Sequence, residues 1–376
     1  MNFRISTALL ALVILTGSFG VEPAAAVEPV TARPHPVGLR QLRYEDPARQ
    51  AWTGNRPRPL IGPLWYPAQP GTTEVDWDVA IFHAGRNAQG AAPAATPAKL
   101  PLVLLSHGTG GSGVGLAWLA ESLAAQGFLV AAVNHHGNTA AEDTPVLQGF
   151  AIWWDRPRDL SVLLDRLLAD PEWGPRIDAQ RIGVAGFSLG GYAALASVGA
   201  RLSAQQRDAY CAGHAQSPLC RLPPEAKGTL ADMQKLAATD ARFRAALAGM
   251  DGDYHDARIR AAFVMAPVFG PMLTPESLAA VNVPVSIVVG SADEQATPDD
   301  NARAIAKAIA RAELNVVPNA GHYVFMPQCN ERGMKFVSEI CADPPGVQRQ
   351  AVHARVANEA ITFFGRTLPP RPLSSR

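Results

Sequence analysis

The chain has 376 residues, 48% of them hydrophobic, enough to bury a large core in one α/β catalytic domain carrying insertions. Its 33 basic and 33 acidic side chains cancel, which removes the field that would attract nucleic acid or an anionic membrane and leaves a small or uncharged ligand as the expectation. Residues 1–26 read as an export signal: Arg4 is a basic start, residues 8–15 are an apolar run too short to span a bilayer comfortably, and Ala24-Ala25-Ala26 is a small-residue cleavage site. No cysteine lies near it for lipid attachment, so the reading is a secreted or periplasmic protein beginning near Val27, without stable membrane insertion.

Residues 27–36 are rich in proline and alanine and read as a flexible lead-in to a domain over 37–368. Segments 39–44, 60–66 and 75–82 read as three early strands, and 87–99, with its excess of alanine, proline and glycine, as a surface loop. Residues 102–105 form a short buried strand ending in Ser106-His107-Gly108-Thr109-Gly110-Gly111-Ser112, with an apolar helix over 116–125. Glycines such as Gly108 and Gly110 let backbone approach a bound carbonyl, and the Thr109 amide is placed to donate to an oxyanion. A glycine-rich turn can also cradle phosphate, but the Lys-Ser/Thr ending of a P-loop is missing.

Residues 128–133 are the next parallel strand, closed at the same sheet edge by Asn134-His135-His136-Gly137-Asn138-Thr139. Adjacent histidines point apart and no carboxylate or cysteine ligands lie close by, so the loop reads as lining a pocket entrance, with His136 as a ligand contact, rather than as a metal site. Leu160, Leu163, Leu164, Leu167 and Leu168 repeat at helical spacing, making 159–169 a helix packed on the sheet.

The most informative stretch is Gly186-Phe187-Ser188-Leu189-Gly190-Gly191, between the apolar segment 182–185 and a small-residue helical run over 192–198. A serine there sits on a tight strand-to-helix turn, where the glycines relieve crowding and the Leu189 amide is a second donor opposite Thr109.

Residues 200–257 then break the strand–helix alternation: Pro218, Pro223 and Pro224 separate short helical patches at 230–236 and 242–250, and Met233, Phe243, Leu247 and Met250 are available as an apolar wall over the serine, with inward packing of half or more of them left open. Alternation resumes with 259–265 and 285–289, the latter running into an acidic turn with Asp293. Glu294 points the opposite way if that loop starts extended, and Asp299 and Asp300 read as caps of a helix over 302–311. Residues 314–317 are the last core strand, followed by Gly321-His322-Tyr323, and 347–364 form a closing amphipathic helix.

Four cysteines suit an oxidising compartment and fall into two close pairs, Cys211 with Cys220 and Cys329 with Cys341. Metal binding by them lacks a Cys-x-x-Cys or histidine partner spacing.

The elbow, the His-Gly-Thr-Gly-Gly turn, Gly-Ser-Ala-Asp and Gly-His-Tyr, in that order, resemble the α/β-hydrolase superfamily over about 37–368. Within it the chain is similar to exported dienelactone-hydrolase-like proteins, related to secreted platelet-activating-factor acetylhydrolases and bacterial polyester hydrolases. The resemblance implies a mostly parallel central sheet flanked by helices; the reading of 200–257 as a cap-like helical insertion rests on the broken alternation and not on the resemblance. It also implies Ser188 as nucleophile, Asp293 as acid, His322 as base, and the amides of Thr109 and Leu189 as oxyanion donors; Tyr323, next to His322, is read separately as a substrate contact. Dienelactone hydrolases use a cysteine where this chain has Ser188, so lactone hydrolysis is not implied. The expected activity is cofactor-free cleavage of carboxylic esters. The alternatives are action on phospholipid acetyl groups or polyesters, or an inactive hydrolase-fold binding protein.

Overall fold

The computed structural model describes residues 33–369 apart from Pro97 and Pro145, so the segment 1–26 expected to be an export signal and residues 27–32 lie outside the described residues. The strands are β1 (Val37–Gln50), β2 (Pro57–Pro67), β3 (Val75–Val79), β4 (Phe82–Gln89), β5 (Leu100–Ser106), β6 (Leu129–Val133), β7 (Ile177–Phe187), β8 (Ile259–Met265), β9 (Val285–Gly290) and β10 (Ala312–Val317). They form one sheet in the order β10-β9-β8-β7-β5-β6-β2-β1-β4-β3. From β6 through β10 neighbours are parallel, whereas β2 runs antiparallel to both β6 and β1.

The segment expected as one strand over 75–82 is the hairpin of β3 and β4. It folds back at Ala80, whose φ of 52° makes a turn without glycine or proline to announce it. Consequently β4 takes up the first residues of the expected surface loop.

Successive strand side chains point to opposite faces, so the apolar run of β5 feeds two cores: Leu102 and Leu104 join one, Val103 and Leu105 the other. The first core is closed by α3 (Asp155–Ala169), α4 (Leu189–Ser197), α8 (Pro275–Ala280) and α9 (Ala304–Ala308), the second by α1 (Ala117–Ala125) and α12 (Arg349–Thr367). Leu160, Leu163, Leu164 and Leu167 are buried along α3, as their spacing requires. A short α2 (Leu147–Ala151) precedes it.

Between α4 and β8 the chain makes α5 (Ala204–Gly213), α6 (Leu230–Thr239) and α7 (Ala241–Leu247); α5 had no expectation in the sequence. The excursion leaves and returns at one point, where Asp256 N donates to Ser197 O at 2.9 Å. Of the two outcomes open to Met233, Phe243, Leu247 and Met250, the inward one holds, and none of them lines the cavity. Phe243 and Met250 are buried in the first core and Met233 and Leu247 pack against it. The amphipathic face of α7 turns inward, where Phe243 meets the Trp52 ring edge-on at 6.2 Å.

Asp299 and Asp300 are not caps. They lie inside a π-helical turn, Asp299–Arg303, that continues into α9; Asp299 pairs with Arg303 at 3.0 Å and Asp300 accepts from Thr297 Oγ1 at 2.8 Å. After β10 come α10 (Glu331–Phe336) and α11 (Ser338–Cys341). Both disulfides join the near pairs, Cys211–Cys220 and Cys329–Cys341. No described helix is long and apolar enough to cross a membrane.

Candidate active site

Ser188 stands between β7 and α4 with φ 57° and ψ −119°, a conformation that side chains rarely adopt and that costs about 1–3 kcal/mol. The strain is held by its surroundings: Ser188 N donates to Met265 O at 2.9 Å, and Tyr192 N returns to Ser188 O at 3.2 Å. The glycines are steric requirements of this turn. A Cβ on Gly186 would lie 2.0 Å from Gly190 O, and one on Gly190 only 1.9 Å from Ser106 O.

His322 opens a one-turn helix, His322–Phe325, beyond β10, and Asp293 follows β9. Parallel strands deliver all three side chains to one sheet edge. Ser188 Oγ lies 3.0 Å from His322 Nε2, and His322 Nδ1 lies 2.8 Å from Asp293 Oδ2. Asp293 Oδ1 also accepts from the amides of Gln295 and Ala296, at 3.0 and 2.7 Å, which fixes the carboxylate plane. A carboxylate on Nδ1 keeps the proton there and leaves Nε2 to accept from the serine hydroxyl. Glu294 is exposed, turned away as expected.

The histidine turn is gripped from behind by a stacked pair. The Trp118 and His353 rings lie 4.1 Å apart and 3° from parallel; Trp118 Nε1 donates to Phe325 O at 3.0 Å and His353 Nε2 to Val324 O at 2.8 Å. Burial lowers His353 to about 4, so it is neutral under ordinary conditions.

Ser188 and His322 open into a cavity of about 470 Å³, which Thr109 and Leu189 also line. Among the described residues neither of their backbone amides is engaged by an acceptor, and Leu189 lies at the positive end of α4. Gly108 and Tyr323 also line the cavity.

Gly110 and His136 do not. The Gly110 amide is spent on Asn138 Oδ1 at 2.6 Å. His136 has both ring nitrogens engaged, donating from Nδ1 to Glu142 at 2.7 Å and accepting the Trp52 amide on Nε2 at 2.9 Å. It braces its loop and contacts nothing in the cavity. Among the described residues no group of three or more His, Cys, Asp or Glu is arranged to hold a metal ion.

Several lining residues were not singled out in the sequence, although the first of them fall within the insertion over 200–257 read as cap-like. The roof is the stretch 216–225, with Pro218, Leu219 and Leu222 supplying its apolar surface, and one wall is Trp153 stacked on Phe269 at 4.3 Å and 22°. Phe269 itself has φ 70°. Beneath the 106–112 loop lies an unforeseen buried ionic cluster. Asp159 accepts from Arg58 Nε at 2.7 Å, Arg49 Nη2 at 2.6 Å and His135 Nδ1 at 2.9 Å, while Ser106 Oγ donates to His135 Nε2 at 2.8 Å.

Burial opposes charge on Asp159, but Arg58 and Arg49 outweigh it and hold the carboxyl well below its usual range. Burial, with Arg156 beside it, lowers His135 to about 3, so that ring is neutral.

No curated protein matches the chain. A solved ferulic acid esterase from Streptomyces cinnamoneus is similar to it, with a TM-score of 0.60 and 25% identity over 93% of this chain and 95% of that one. The sequence model described as alpha/beta hydrolase family matches residues 102–332, from the first central parallel strand past the histidine turn. A mostly parallel sheet flanked by helices, a serine at the β7–α4 turn and this match over well over half its length agree: the chain belongs to the alpha/beta hydrolase family.

Proposed function

We propose that the protein is a secreted or periplasmic serine hydrolase of carboxylic esters, with Ser188 as nucleophile, His322 as general base and Asp293 as its orienting acid. The observation that carries this is the continuous hydrogen-bonded line from Asp293 through His322 to a Ser188 hydroxyl that opens into the cavity. His322 takes the hydroxyl proton as Oγ attacks the ester carbonyl, and Asp293 stabilises the imidazolium. The tetrahedral oxyanion is received by the amides of Thr109 and Leu189, each worth about 3 kcal/mol to the transition state. His322 returns the proton to the departing alcohol, then activates the water that hydrolyses the acyl-enzyme. The residues 216–225 act as a cap over this space, held in shape by the Cys211–Cys220 disulfide.

A flat acyl group suits the cavity best. The stacked Trp153 and Phe269 rings offer an aromatic wall, and the similar solved structure is named a ferulic acid esterase. The test is hydrolysis of p-nitrophenyl esters from acetate to palmitate, with methyl ferulate beside them, by mature protein and by Ser188→Ala. Turnover that favours short or aromatic acyl groups and disappears in Ser188→Ala is expected. Turnover surviving in Ser188→Ala removes the nucleophile assignment; a protein silent on every ester and unlabelled by an active-site phosphonate is a binding protein instead.

A further inference from the structure

The loop carrying Thr109 is tied down by a pattern of bonds that the triad does not require. Gly108 O accepts three: from His107 Nδ1 at 2.7 Å, from Gly111 N at 3.2 Å and from Arg156 Nη2 at 3.3 Å. Arg156 Nη1 donates in addition to His107 O, so one guanidinium spans two successive carbonyls. Arg156 is 2% exposed and rigid at the start of α3, and although burial lowers it to about 9 it stays charged at neutral pH. The tautomer of His107 is set by its other nitrogen. The His135 amide donates to Nε2 at 3.1 Å, so the ring proton is on Nδ1, the atom that faces Gly108 O.

A trans peptide points its carbonyl and its N–H to opposite sides, and no peptide among the described residues is cis. The acceptor Gly108 O and the donor Thr109 N–H belong to one such unit. Drawing the oxygen toward Arg156 and His107 therefore aims the amide the other way, toward the cavity that Thr109 lines. Glycine at 108 keeps the turn close to the serine: a Cβ there would lie 3.2 Å from the Phe187 ring, which would have to give by a few tenths of an ångström, and in ordinary contact, 3.5 Å, with Ser188 Cβ. It also leaves the peptide easy to flip. The clamp removes that freedom.

We propose that His107 and Arg156 are positioning residues that hold the Gly108–Thr109 peptide with its N–H directed at the developing oxyanion, so that the donor is in place before substrate arrives. The inference deepens the proposed esterase reading and rests on it. Preorganised donors act on the transition state and not on ground-state binding, so the clamp is read in kcat.

The experiment compares Arg156→Met, His107→Gln and His107→Asn with the parent and with Ser188→Ala, using p-nitrophenyl acetate turnover and inhibition by a trifluoromethyl ketone. Asparagine can place an amide N–H near the Nδ1 position, whereas glutamine places its head near Nε2. Arg156→Met and His107→Gln are expected to lose about 10- to 100-fold in kcat, with KM nearly unchanged and the ketone weakened by a similar factor. His107→Asn is expected to recover most of the loss. Folded variants, checked by melting and near-UV circular dichroism, that keep parental kcat, or that change KM alone, overturn the clamp. So does an Asn variant no better than the Gln one. Should Arg156→Met fail to fold, the His107 pair decides. Ser188→Ala separates the two levels: residual turnover there sinks the nucleophile reading, whereas a silent Ser188→Ala beside a fully active His107→Gln sinks only the clamp.

Discussion

At the scale of single residues, the serine turn works because atoms are missing around it. Gly190→Ala would set a methyl 1.9 Å from the Ser106 carbonyl, a backbone atom that cannot swing aside, so β5 and the turn must part. The expected result is destabilisation of about 3 kcal/mol in urea titrations together with loss of ester turnover. Asp293→Asn keeps the shape but presents an N–H or a weaker acceptor to His322 Nδ1, which shifts the ring proton to Nε2 and leaves nothing to receive the serine proton. A fall in kcat of about 10⁴ with the melting temperature little changed is the expected outcome; a fall under tenfold would falsify the orienting role. That Ser188, Asp293 and His322 meet was legible because motif order and strand ends bring them together. His107 stood in a quoted motif without a role, because its use depends on which nitrogen the His135 amide meets, and sequence carries no such contact.

At the scale of elements, the roof is a proline-bearing segment with few helical contacts, fastened by a nine-residue disulfide separation. Replacing Cys211 and Cys220 by serine should cost about 2.5 to 3 kcal/mol by chain entropy. It should also raise KM more than it lowers kcat, measured on the preferred ester, because the triad lies on other elements. Gly365 shows the opposite sign within α12: exposed, with nothing within 4 Å of an added Cβ, it should stabilise the protein by about 0.5–1 kcal/mol when changed to alanine. Parallel strands and the leucine stripe of α3 were legible because their periods are enforced by burial. The β3–β4 turn at Ala80 and the inward rotation of α7 were not. The first lacks a turn residue, and the second is decided by Trp52, far away in sequence. Pro218 and Pro223, read only as separators, became lining.

At the scale of the whole molecule, acid acts through histidines that folding keeps neutral. Burial lowers His107 well below its ordinary value, His135 to about 3 and His353 to about 4. Between about 6.5 and those values the unfolded chain binds protons that the native state refuses, so stability falls as pH falls through that window. Glu121 opposes this. Burial raises it to about 7, so its contribution is complete below its unfolded pKa and is lost as pH rises through the folded one. Urea midpoints should therefore drop from pH 6.5 toward pH 4. Glu121→Gln, which can still accept the Arg86 amide, should steepen the drop by removing the opposing group. Asp159→Asn would leave Arg49 and Arg58 sharing only Asp155, at 3.3 and 3.6 Å, in place of the closer Asp159, and should cost about 3 kcal/mol, loosening β1, β2 and α3 together.

The excursion between α4 and β8 begins and ends at one hydrogen bond, Asp256 N to Ser197 O, while Ser188, Asp293 and His322 all lie outside it. In engineering terms it is a cassette with adjoining sockets. Segments of other length and lining can be exchanged at these two points without moving the strands on either side, so the roof of the cavity can be inherited from a different parent than the serine, the histidine and the Trp153–Phe269 wall.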